Sequence, residues 1–167
     1  MEPKERAFLT QIEAHKGILH KVGRIYVDDI EDRKDLHQEI IIQLWKSYDK
    51  FQGQSAFSSW MYRVAVNTAI SYFKKEKPHG NTIAIDTVAE PESEPYDPKA
   101  DEQLELFYRA VQHLSPVEKA VILYFMEGLS HREIGLQLGI TEGNARVKLN
   151  RTKEKLQTII KKYDDEL

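Results

Sequence analysis

One stretch limits what this chain can fold into more than any other: residues 129–155, LSHREIGLQLGITEGNARVKLNRTKEK. Ser130 followed three positions later by Glu133 is a capping box. The serine oxygen accepts from a first-turn N–H, and the glutamate reaches back to the cap. Ile134 and Leu138 then lie four apart on one face, and Gly139 suits the left-handed conformation that ends a helix. Ile140 bridges a turn of about three residues, and Thr141 is a good cap for the next helix. A turn this short holds two helices at a steep angle, so the spacing predicts a helix-turn-helix whose second helix projects outward.

That second helix sorts by face. Ala145, Leu149, Thr152, Leu156 and Ile159 share an inner stripe. Arg146, Asn150 and Lys153 share an adjacent outer stripe, with Lys148, Arg151 and Lys155 on the other flank. Arginine offers a bidentate fork to guanine, asparagine pairs with adenine, and lysines neutralise phosphates. A basic helix that is merely solvated is the alternative; the capped helix and tight turn before it favour DNA reading.

At 167 residues the chain holds one medium domain or two small ones. With 41% hydrophobic residues it can build cores, and no apolar run approaches a membrane span. The N-terminus MEPKER is charged and lacks the apolar segment of a signal peptide behind it. There is no cysteine, which excludes disulfides, thiolate metal sites and cysteine nucleophiles, and fits a reducing cytoplasm. The formal net charge is −3, whereas a protein that grips duplex DNA alone through a broad surface is usually basic. Positive charge is segregated into residues 146–162, while the middle of the chain and Asp164, Asp165 and Glu166 are acidic. A local DNA contact plus surfaces with other duties is implied.

Phe8, Ile12, Leu19, Val22 and Tyr26 recur at helical spacing over residues 5–27, although Gly17 and Gly23 argue against one uninterrupted helix. His15 and His20 have no neighbouring carboxylate or histidine at ligand spacing and are expected at the surface or its boundary. The acidic run at residues 28–32 reads as a connection. Residues 35–48 form a second helix with Leu36, Ile40, Leu44 and Tyr48 in one row, widened by Ile41 and Trp45. Asp35, Gln38, Glu39, Ile42 and Gln43 face elsewhere, as a partner-docking patch or as a slightly apolar solvent face. Gly53 marks a loop, and Ser55 is the expected cap of a helix beginning near Ala56. On that helix Trp60, Arg63 and Asn67 share a stripe mixing an aromatic ring, a cation and an amide. The mixture suits unstacked single-stranded bases, or ordinary packing with a surface arginine. Lys74, Lys75 and Lys77 close the helix where its dipole is negative.

Residues 81–101 carry Pro91, Pro95 and Pro98 among many acids and read as a linker. Order resumes near Glu102 with Leu104, Phe107, Val111 and Leu114, and Ser115-Pro116-Val117-Glu118 is a second capping box opening a helix over residues 117–127. The fold class is all-α: two small helical domains, 1–78 and 102–167, joined by an acidic, proline-containing linker at 79–101.

Together these residues resemble the extracytoplasmic-function (ECF) group of bacterial RNA polymerase sigma factors. The residues that carry the resemblance are DLHQEIIIQLW, FQGQSAFSSWMYRVAVNTAISYF and LSPVEKAVILYFMEGLSHREIGLQLGITEGNARVKLNRTKEKL, in that order. The resemblance implies a region 2-like domain followed by a region 4-like domain. Asp35, Gln38, Glu39, Leu44 and Trp45 would dock on the β′ clamp helices of core RNA polymerase or pack that helix. Phe51, Ser55 and Phe57, in the loop at 51–57, would receive a flipped base of the minus-ten element, and Trp60, Arg63 and Asn67 would contact that element during strand separation. Arg146, Val147, Lys148, Asn150 and Arg151 would read the minus-thirty-five element in the major groove. Domain four would also meet the β flap. An anti-sigma factor is an expected partner, with the chain cytoplasmic and held at the inner membrane when that partner is there. The chain departs from the family in three places: lysines end the helix after Asn67, Ala145 replaces a frequent β-branched residue, and Asn150 stands where bulkier residues are common. The promoter sequence is therefore not carried over.

The function expected is that of an alternative sigma factor directing promoter recognition and transcription initiation. The rival is a stand-alone helix-turn-helix regulator whose N-terminal module mediates dimerisation or sensing. It would bind a palindromic duplex tightly without polymerase. No catalytic residue, cofactor or metal is expected, since the sequence shows no glycine-rich phosphate loop, no metal-spaced cluster and no nucleophile–base pair.

Overall fold

The computed structural model describes residues 1–53, 55–74 and 98–166, and every element among them is helical. Lys75, Lys77, Gln54 and most of the expected linker lie outside the described residues. The chain divides into two units, Met1–Ser93 and Glu94–Leu167.

The first unit contains α1 (Pro3–Ala14), α2 (Lys16–Tyr26), α3 (Ile30–Ser47), a single 3₁₀ turn (Tyr48–Lys50) and α4 (Phe57–Lys74). Helices α2, α3 and α4 pack on one another. Their shared core is Leu19, Val22, Leu36, Ile40, Leu44, Met61, Ala65 and Ala69, all buried. Helix α1 joins through Phe8, whose ring stands edge-on to Trp45 and Tyr48 at 5.1 Å each.

Three boundaries differ from the sequence reading, each for a local reason. The first helical stretch breaks at His15 rather than at a glycine, where the His15 N–H donates to the Gln11 and Ile12 carbonyls and ends α1. Residues 28–32 are not a connection. The Asp29 carboxylate accepts from the Glu31 and Asp32 N–H groups at 2.9 and 3.1 Å and caps α3, and Glu31 and Asp32 complement the positive end of its dipole. At α4 the Ala56 carbonyl accepts from Trp60 N–H at 3.2 Å, so Ala56, not Ser55, occupies the cap position.

The second unit contains α5 (Pro98–Val111), α6 (Pro116–Met126), α7 (His131–Leu138) and α8 (Glu142–Glu166). Helix α5 starts at Pro98, four residues before the expected resumption of order at Glu102, with proline in its first turn, where a missing N–H costs nothing. Leu104, expected on the packed face of α5, is exposed. Helix α8 packs against α5, α6 and α7, so the long helix is the spine on which this unit is built. Its buried residues are Ala145, Leu149, Thr152 and Leu156, and the Thr152 hydroxyl is satisfied by donating to the Lys148 carbonyl at 2.7 Å.

Candidate nucleic-acid interface

The turn between α7 and α8 is fixed by a run of short-range bonds. Ser130 Oγ accepts from Glu133 N–H at 3.2 Å, and Glu133 Oε1 accepts from Ser130 N–H at 3.1 Å. These bonds to Ser130 hold the Glu133 carboxyl below the usual carboxylate range. Gly139 takes φ 70°, the left-handed conformation that ends α7. Ile140 N–H donates to the Gly135 carbonyl at 2.9 Å, and Thr141 Oγ1 accepts from Asn144 N–H at 3.1 Å. With its entry fixed, α8 exposes Arg146, Val147, Asn150 and Arg151, with Lys148 half-buried beside them. Arg146 Nη2 lies 3.5 Å from Glu142 Oε1 one turn earlier. That i,i+4 pair was readable from spacing alone, and Glu142 was missed.

Lys153 and Lys155 do not join this face. Lys153 Nζ lies 3.8 Å from the Phe125 ring centroid, and Lys155 Nζ lies 3.1 Å from Glu118 Oε1. Both side chains tie α8 to α6. Periodicity places them on an outer flank, but only the tertiary position of α6 shows what lies beneath them. Glu118 also completes the Ser115 capping box, accepting from Ser115 N–H at 2.8 Å. Burial works against its charge, but the Ser115 N–H, Lys155 and the Ser115 hydroxyl outweigh it and hold the carboxyl below the usual range.

In the first unit the rings of Phe51, Phe57, Trp60 and His15 form a cluster. Phe51 lies 5.0 Å from Trp60 and 5.6 Å from Phe57, and Phe57 lies 5.3 Å from both Trp60 and His15. Phe57 is buried among these rings. Phe51 and Trp60 are half-buried, and Ser55, Arg63 and Asn67 are exposed. The stripe Trp60–Arg63–Asn67 therefore does run along one open side of α4, with a ring anchored at its head.

On α3, Asp35 is exposed and Gln38 and Glu39 are half-buried, with Glu39 Oε1 accepting from Gln43 Nε2 at 2.9 Å. Leu44 is fully buried, so its place is in the packing of this helix. Trp45 keeps an open face and has Lys4 Nζ 4.9 Å from its ring centroid. His37 turns the other way, toward α2. Its ring lies 5.7 Å from that of His20, its buried Nε2 has no hydrogen-bond partner, and a side chain at Gly23 would collide with it. Burial, then the neighbouring His20, lower the His37 pKa, against a raising contribution from the Leu19 backbone; Arg33 lowers it further.

Residues 11–79 match Sigma-70 region 2, and residues 104–156 match Sigma-70, region 4. The ECF RNA polymerase sigma-E factor of Escherichia coli K12 is 30% identical over 162 residues, covering 86% of this chain and 84% of the relative. The chain is an ECF sigma factor. Two solved structures share the fold. CnrH in complex with the cytosolic domain of CnrY gives a TM-score of 0.64 at 19% identity, covering 94% of this chain and 89% of that one. RpoE in complex with the anti-sigma factor NepR from Bartonella quintana gives 0.61 at 20% identity, covering 94% and 96%.

This sigma factor is thus an alternative initiation factor, which binds core RNA polymerase and directs it to promoters, and the stand-alone regulator is disfavoured. Among the described residues no group of three or more His, Cys, Asp or Glu is placed to hold a metal ion, and no helix is long and apolar enough to cross a membrane.

Proposed function

We propose that the two units divide promoter recognition between them. Arg146, Val147, Lys148, Asn150 and Arg151 read the duplex minus-thirty-five element. Trp60, Arg63 and Asn67, with Phe51 and Ser55 of the adjoining loop, hold the minus-ten element as it opens. Asp35, Gln38, Glu39 and Trp45 dock on the β′ clamp helices, with Leu44 setting the helix beneath them. The region 4-like unit also meets the β flap. The boundaries of this division are 1–78 and 102–167, with 79–101 as the connection. The observation that carries the reading is the α8 face: a long helix, fixed at its start by a capped turn, exposing two arginines and an asparagine.

Catalysis then belongs to the polymerase and none to this chain, which acts in the bacterial cytoplasm. The two structural neighbours are complexes with CnrY and NepR, the latter named an anti-sigma factor. We infer that this chain too is held inactive by an anti-sigma partner, at the inner membrane where that partner is anchored. Gel filtration of the full chain with sigma-free core polymerase tests the docking. Near-stoichiometric co-elution is expected, lost when Asp35 and Gln38 are both changed to Ala. A wild-type chain that co-elutes with none of several bacterial cores would overturn the reading.

A further inference from the structure

The seam between α2 and α3 holds a titratable group for which promoter recognition has no use. His37 projects from α3 toward α2, and its Nε2 is buried with no hydrogen-bond partner. Gly23 of α2 is buried against that nitrogen, and a methyl group there would overlap it, so the missing side chain is what admits the ring. His20, about one turn earlier on α2, stands nearly edge-on to His37 at 81° and 5.7 Å. The connection between the helices is fixed from α3. Arg33 Nε donates to the Val27 carbonyl at 2.8 Å and Nη2 to the Asp28 carbonyl at 2.9 Å, one turn before His37.

This setting suits a neutral imidazole and not a charged one. In the neutral ring Nε2 can be the nitrogen without a hydrogen, an acceptor left idle. In the charged ring both nitrogens are donors, and Nε2–H would face Gly23 with nothing to receive it. Burial opposes the charge, and His20 and Arg33 add like-sign repulsion; the Leu19 backbone works the other way. Among the described residues of α2, α3 and α4, His20 and Arg33 are the charged groups that act on the ring, and no carboxylate does. One turn away on α3 stand Arg33, Lys34, Ile40 and Ile41, so its own helix offers no anion either.

We propose that His37, with His20 beside it, makes the α2–α3 seam an acid switch: a proton on His37 parts the two helices about the Arg33 clasp and takes α3 out of its docking geometry. Asp35, Gln38 and Glu39 flank His37 on the same helix, so the seam and the docking face move as one element. The consequence for docking rests on the reading of α3 as the polymerase-docking helix; the opening of the seam does not.

Hydrogen exchange of the full chain, corrected for intrinsic exchange, follows the seam from about pH 7.5 to about pH 5.5, across the ordinary histidine range. One proton taken up on opening shifts that equilibrium by at most about tenfold per pH unit. Protection of peptides spanning α2 and α3 is expected to fall by up to about tenfold over the last unit and to hold above it. His37→Gln carries no proton to gain, and in Gly23→Ala the added methyl displaces the ring from its pocket, so both should lose this dependence. The affinity of each labelled chain for sigma-free core polymerase is measured by anisotropy over the same range. The core's own titrations are common to all three chains. The wild type should weaken on acidification by up to about tenfold more than either variant.

Equal loss of protection in the three chains overturns the switch. A seam that titrates as expected, with the same acid dependence of core affinity in all three, overturns its link to docking. A wild-type chain that binds no core at any pH, its seam still titrating, overturns the docking reading and leaves the seam standing.

Discussion

Gly135 sets the angle at which α8 leaves α7, and Gly135→Ala tests that geometry. A methyl group there would stand 2.7 Å from the Ile140 carbonyl oxygen and 3.3 Å from the Thr141 carbonyl carbon and oxygen, all backbone. Backbone cannot swing aside as a side chain can, so the turn has to move. Overpacking of this kind costs about 1–3 kcal/mol. Retreat of the turn also strains the Ile140 N–H bond to the Gly135 carbonyl, now 2.9 Å and worth about 1 kcal/mol. Alanine returns about 1 kcal/mol of helix propensity. The net loss is about 1–3 kcal/mol, which is a roughly 5- to 150-fold shift in the local opening equilibrium. Hydrogen exchange of the full chain reads this in peptides spanning α7 and the start of α8. Duplex binding should weaken in parallel, because α8 enters from the displaced turn. Gly143→Ala is the control: nothing lies within 4 Å of the added methyl, so protection should hold or rise. Gly135→Ala protected as well as the wild type would refute the claim that the turn packs on this glycine.

Other outcomes follow from the same structure. Arg146→Ala and Arg151→Ala should each weaken upstream-element binding by about 1–3 kcal/mol if that arginine meets a base; promoter preference unchanged in both would remove α8 as the reader. Because the folded state holds the His37 pKa down, the unfolded chain takes up a proton at higher pH than the folded one. Stability of the first unit is therefore full above about pH 6.5 and falls as pH drops through the lowered folded value. Trp45 and Trp60 both lie in that unit and report its unfolding; an equal acid slope in His37→Gln would contradict this origin. Glu118 is a depressed carboxylate, so its contribution is present above its ordinary value near 4.5 and lost as pH falls below it. Lys155→Ala should cost less than about 1 kcal/mol at neutral pH and flatten that acid slope. A Lys155→Ala chain with the wild-type slope would dissociate the pair from the effect.

The parts of this fold that a reader could take from sequence are those decided within a few residues. Both capping boxes, the left-handed Gly139 and the Thr141 cap stand where the spacing puts them, because each is closed by bonds spanning three or four positions. The acidic run at residues 28–32 misled because side chains that suit a loop suit a helix N-terminus equally well. Long-range facts were out of reach. The meeting of His20 with His37 requires α2 against α3, and the inward turn of Lys153 and Lys155 requires α6 beneath α8. The burial of Phe57 was out of reach for a related reason. Resemblance assigned the whole loop to the strand, and only burial distinguishes the ring that supports it from those that face outward.

The two lysines that pin α8 to α6 have a consequence in ionic strength. Each phosphate neutralised on duplex DNA contributes about 0.9 to the slope of log K against log salt. With Lys153 on the Phe125 ring and Lys155 on Glu118, the cations left on the α8 reading face are Arg146, Lys148 and Arg151. The helix therefore displaces few counterions, and its choice among sites should change little between dilute and concentrated salt. On the proposed reading the helix would distinguish one sequence from another without gripping either, and persistence on the promoter would fall to the enzyme that carries it there.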